Sequence, residues 1–89
     1  MNYNLKVRRA KGISYSELPE EVILLDSNRE VYIGITGSYR TIWNMLDIER
    51  SVEDLIGAID PSEHDMYVNS IEEMVQNNLL EMTEDGNGD

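Results

Sequence analysis

The chain has no cysteine and no phenylalanine, and only one tryptophan, one histidine and two prolines among 89 residues. Without thiols it can form neither disulfides nor thiolate metal sites, which suits a reducing compartment. A metal site would have to combine His64 with carboxylates, and no further ligands fall at helical or cross-strand spacing from it. No apolar run approaches the ~20 residues that span a bilayer, and the opening MNYNLKVRRAKG lacks an apolar targeting segment. These absences point to a soluble cytoplasmic protein with no membrane partner and no cofactor. Catalysis has little to work with: no serine or threonine has a histidine base and orienting acid, and Gly34 and Gly37 are not followed by the Lys of a phosphate loop. The residues suggest a binding module and not an enzyme.

Cations are scarce as well, seven against 18 acidic residues, for a net charge of −11. They are also unevenly placed. Residues 1–40 hold six basic residues against five acidic ones, a balance of +1, while residues 41–89 hold Arg50 alone against thirteen acids, a balance of −12. A chain of this length has room for one domain, burying about 60–65% of its unfolded surface, with stability on the order of 5 kcal/mol. Its core must be filled by Tyr, Trp, Met, Ile, Leu and Val, and five methionines favour an adaptable core or groove.

The organising stretch is Val31–Leu46, VYIGITGSYRTIWNML, where a strand runs into a helix. Thr36 is placed to cap that helix, and Tyr39, Ile42, Trp43 and Leu46 fall at the i, i+3, i+4, i+7 spacing of one buried face. Upstream, Lys6–Gly12 reads first as a solvated N-terminal arm, with a clamp for an acidic partner as the functional alternative. Ile13–Leu18 alternates as a half-exposed strand, and Val22–Leu25 is a short apolar strand. Asp26–Arg29 supplies turn chemistry, with Asn28 suited to the left-handed region, and Glu30–Gly34 is the return strand.

Downstream, Ser51 is the N-cap of a short second helix bearing Val52, Leu55, Ile56 and Ile59. Asp60-Pro61-Ser62-Glu63 starts a third helix that should run to about Leu80. Its apolar residues Tyr67, Val68, Ile71, Met74, Val75 and Leu79 spread over about 140°, wide enough to leave one edge as a binding surface. Residues 83–89 read as a disordered acidic tail beyond a domain of residues 1–82. The pattern is α+β, a three-stranded antiparallel meander followed by three helices, consistent with a winged helix-turn-helix. DNA binding, the obvious use of that shape, is disfavoured because the third helix would bring Glu63, Asp65, Glu72 and Glu73 towards phosphates. The alternative use is peptide capture on an exposed strand edge.

The string Leu24-Leu25-Asp26, then Tyr32–Trp43 (YIGITGSYRTIW), Leu46-Asp47 and Ser51–Ile56 (SVEDLI) resembles the PqqD family, the stand-alone peptide chaperones also called RiPP recognition elements. Val7-Arg8-Arg9 with Gly12 resembles its usual opening, and the likeness covers residues 7–80. Two features depart from the pattern. Tyr39 stands where the family usually has glycine, and the link between helices 2 and 3 is shorter. The resemblance implies a non-catalytic module that binds the leader region of a ribosomally made precursor peptide and presents it to a modifying enzyme, a radical SAM protein or a leader peptidase. It implies a leader lying along Glu30, Val31, Tyr32, Ile33 and Gly34, with Tyr67, Val68, Ile71 and Val75 lining the groove and Glu72 meeting a leader cation. An open edge also leaves room for a homodimer. The alternative is a winged-helix interaction or regulatory subunit whose acidic face docks a basic protein.

Overall fold

The computed structural model describes residues 2–83. Six strands and three helices follow in the order β1 (Lys6–Arg9), β2 (Ile13–Glu17), β3 (Val22–Asp26), β4 (Val31–Ile35), α1 (Gly37–Met45), β5 (Arg50–Ser51), α2 (Val52–Gly57), α3 (His64–Gln76) and β6 (Leu80–Thr83). The expected α+β arrangement is present. The sheet β2-β3-β4 is an antiparallel meander with three helices after it. Val22 and Leu24 point into the core, while Ile23 and Leu25 are only half-buried on the outer face.

A second sheet, β5-β1-β6, was not expected. The segment read as a solvated arm is its central strand: Val7 is fully buried, and Lys6–Arg9 pairs antiparallel with Leu80–Thr83. Arg8 forms an ion pair with Glu81 across that ladder at 2.9 Å. The tail reading is corrected at Thr83, which closes β6; residues 84–89 lie outside the described residues.

Trp43 is fully buried at the centre of a core that includes Val7, Leu24, Ile42, Leu46, Leu55, Ile71 and Met74. Arg9 is half-buried and packs against the Trp43 ring at the edge of this cluster. Its guanidinium carbon stands 4.7 Å from the ring centroids of both Trp43 and Tyr15. Its Nε and Nη2 donate to the Trp43 carbonyl at 3.2 and 2.8 Å.

The helix ends follow local chemistry. The Ser51 hydroxyl accepts the Asp54 N–H at 3.0 Å, as its N-cap position demands. Thr36 occupies the N-cap of α1 in extended conformation, but its side chain makes no capping bond. Asp60 accepts the N–H and hydroxyl of Ser62, and Pro61–Glu63 forms a 3-10 turn, so α3 begins only at His64. His64 itself bonds through Nε2 to the Ile59 carbonyl at 2.9 Å.

Helix α3 stops at Gln76, short of the expected Leu80. Asn78 takes a left-handed φ of 63°, the Leu79 N–H donates to Met74 O and the Asn78 N–H to Val75 O. This pair of bonds is a Schellman motif, and it releases Leu79 and Leu80 into the core as extended chain.

The β3–β4 turn is held by Asp26, which is buried and accepts the N–H groups of Asn28 and Arg29 and the Arg29 Nε at 2.8 Å. Glu30, and not Asn28, takes the left-handed conformation in this turn, with φ 56°. The Arg29 hydrogen bond holds the Asp26 carboxyl below its ordinary pKa, aided by the two backbone donors and opposed by desolvation. A carboxylate with a depressed folded pKa stabilises the fold above its unfolded value of about 3.9, and that contribution is lost as the pH falls through the folded value. Melting temperature should therefore fall as the pH is taken below about 4, and fall less steeply in Asp26→Asn. Parallel pH profiles for the two proteins would contradict the latch.

Candidate peptide-binding groove

β4 is an edge strand, with β3 on one side and no strand on the other among the described residues. Two backbone bonds set which of its groups are free. Leu18 N–H donates to Glu21 O and Ser27 N–H to Gly12 O, one at each end of the β2–β3 ladder. Hydrogen-bonded pairs alternate along an antiparallel ladder, so Ile23 and Leu25 bond to β2, while Val22, Leu24 and Asp26 turn towards β4. Their partners Ile35, Ile33 and Val31 therefore spend their N–H and C=O groups on β3. Tyr32 and Gly34 direct theirs to the open edge. A proline at Val31 would thus break the sheet and not an added strand.

A groove of about 490 Å³ runs along this edge. Val31, Ile33, Gly34 and Ile35 form its strand side, with Thr36 at the entrance to α1. Side-chain alternation turns Val31, Ile33 and Ile35 inward and Tyr32 outward, where Tyr32 is 75% exposed. The opposite wall comes from Tyr39 of α1, from Glu73, Met74 and Asn77 at the end of α3, and from Leu79. Two polar clasps tie together the elements that line the groove. At the hairpin end, Arg29 Nη2 donates to the Asn77 carbonyl at 2.8 Å. At the α1 end, the Tyr39 hydroxyl donates to the Glu73 carboxylate. That carboxylate, helped by partial burial, raises the Tyr39 pKa above its ordinary value, so the phenol remains a donor through neutral pH. Beneath this clasp Ser38 Oγ meets buried Ser70 Oγ at 2.7 Å, letting α1 and α3 approach closely.

The groove gathers Val31, Ile33 and Gly34 from the residues expected on the strand. Glu30 sits in the hairpin turn, and Tyr32 contributes its backbone while its ring faces away. None of the expected α3 residues lines this groove. Ile71 is fully buried, and Tyr67 and Val68 are half-buried against the core. Glu72 and Val75 line a separate depression of about 390 Å³ with Leu5, Gln76 and Met82. At about 100° per residue, Glu73, Met74 and Asn77 lie on one flank of the core-facing stripe, and Glu72, Val75 and Gln76 on the other. The apolar arc locates the core. It does not say which flank faces the open edge of β4.

No family model matches the chain, and no curated protein matches it. A solved structure described as TbiB1 in complex with the TbiA(beta) leader peptide superposes with a TM-score of 0.71 at 20% sequence identity. The match covers 92% of this chain and 99% of that one, so the two share a fold over nearly their whole lengths. No helix among the described residues is long and apolar enough to cross a membrane, and no three His, Cys, Asp or Glu side chains among them gather to hold a metal ion.

Proposed function

We propose that this protein captures the leader segment of a ribosomally made precursor peptide as an added strand on β4 and delivers it to a modifying enzyme, without chemistry of its own. The observation that carries this reading is the open edge: Tyr32 and Gly34 offer N–H and C=O groups left unpaired among the described residues, beside an apolar groove. Main-chain bonds supply affinity in such strand addition, and alternate side chains entering pockets supply specificity. Inward-facing ligand residues would meet Ile33, Met74 and Leu79, while outward ones stay in water. The shared fold with a leader-bound protein supports the same reading. The enzyme served is a radical SAM protein or a leader peptidase, and without peptide the same edge is open to a second copy of the chain.

The test is a titration of this protein against a fluorescently labelled leader from a short precursor encoded beside its gene, with duplex DNA as control. Saturable leader binding at micromolar concentration or tighter, with DNA silent, is the expected result. Binding to DNA but not to leader would replace this reading with that of a nucleic-acid regulator. Binding to neither, with capture of a folded basic protein instead, would favour an interaction subunit.

A further inference from the structure

The groove has two charged side chains, and only one of them is electrically matched in place. Arg29 is held against the Asp26 carboxylate at 2.8 Å while reaching the Asn77 carbonyl. Glu73 is exposed, receives only the neutral Tyr39 hydroxyl, and has no ion-pair partner among the described residues. The other arginines near acidic groups are committed elsewhere: Arg8 to Glu81, Arg40 to Glu17, Arg50 to Asp47. Glu73 also stands in the last turn of α3, which carries no basic residue. Helix C-terminal carbonyls make that position negative before any carboxylate is added, so a cation placed there gains from both sources.

Resting on the strand-addition reading above, we propose that the segment bound in the groove carries a lysine or arginine that pairs with Glu73, at the end where β4 runs into α1. Glu73 is then a specificity-determining residue, and Tyr39 is a positioning residue that aims its carboxylate across the groove. The ligand class narrows to an extended peptide with alternating apolar residues flanked by one cation. A ligand acid at that place meets Glu73 as a like charge and is rejected.

Selection of a yeast-displayed random decapeptide library against the intact protein tests this without a known ligand. Peptides are kept only if the Tyr32→Pro variant, blocked at the open edge, does not bind them. The expected result is enrichment of Lys or Arg at one fixed position beside two apolar residues spaced by one. Those peptides should bind Glu73→Gln about tenfold more weakly and Tyr39→Phe about threefold more weakly, and selection on Glu73→Lys should switch the position to Asp or Glu. Glu73 is exposed, so its variants should melt as the parent does. Edge-dependent peptides with no charge preference would overturn the Glu73 assignment and leave strand addition standing. An absence of edge-dependent peptides would overturn both.

Discussion

Replacing Trp43 with alanine should remove most of the protein's folding stability at 25 °C. The side chain has no exposure and belongs to a buried cluster drawn from β1, β3, β4, all three helices and β6. Tyr15 of β2 meets it edge-on, with ring centroids 5.7 Å apart and planes at 75°. Arg9 of β1 is stacked against the same two rings and is hydrogen-bonded to the Trp43 carbonyl. Truncating a buried tryptophan costs about 3–5 kcal/mol, and a domain of this size has a total stability of that order. Part of the loss comes through Arg9, whose cation–π contacts are worth about 0.5–1 kcal/mol at a partly exposed site. Trp43→Phe should be far milder, because it keeps a ring under Arg9 and because the buried indole Nε1 has no hydrogen-bond partner among the described residues to lose. Urea unfolding followed by far-ultraviolet circular dichroism reads both variants. A Trp43→Ala protein with a cooperative transition within 1 kcal/mol of the parent, a threshold far below the range for such truncations, would remove Trp43 from the centre of the fold.

Tyr32→Pro should weaken leader binding at least about tenfold while leaving the protein folded. The substitution deletes one N–H on the open edge, worth ~1 kcal/mol as a hydrogen bond, and puts the proline ring where the incoming strand must lie. Edge strands tolerate proline where the N–H faces solvent. Tyr32→Ala separates backbone from side chain: the ring points to the outer face, so this variant should bind within about twofold of the parent, well short of the loss from one hydrogen bond. Ile33→Pro is the structural control, since its N–H bonds to β3 opposite Leu24 and its loss should lower the melting temperature. Isothermal titration of a leader peptide distinguishes the three. Equal affinity for parent and a folded Tyr32→Pro would place the ligand off the β4 edge.

These outcomes separate what local patterns encode from what they do not. The meander was legible because Val22–Leu25 and Val31–Ile33 are runs of strand-forming residues around turn chemistry at Asp26–Arg29. The buried face of α1 was legible because Ile42, Trp43 and Leu46 follow helical spacing. The second sheet left almost no trace. Its strands are short, β1 has one inward apolar residue, and Arg8 pairs with Glu81 across nearly the whole chain. Arg9 looked like a surface charge because nothing local shows that two aromatic rings will close on it. Helix α3 was extended too far because Leu79 continues the apolar phase of Met74 and Val75, although Asn77-Asn78 was a readable stop.

The strand side of the groove falls on the stretch the sequence singled out, whereas its α3 side is built from Glu73, Met74 and Asn77, on the flank opposite Glu72 and Val75. Periodicity fixes the direction of a helix's core face. The sign of rotation towards a neighbouring edge depends on tertiary packing, here the Ser38–Ser70 contact and the Arg29–Asn77 clasp.

The most direct test of strand addition is residue-resolved amide hydrogen exchange by NMR, with and without a saturating leader peptide. In the free protein the Tyr32 and Gly34 amides should exchange quickly, while Ile33 and Ile35 should already be protected by β3. On binding, Tyr32 and Gly34 should become protected in step with peptide occupancy. Saturable leader binding that leaves those two amides as fast as before would contradict the account.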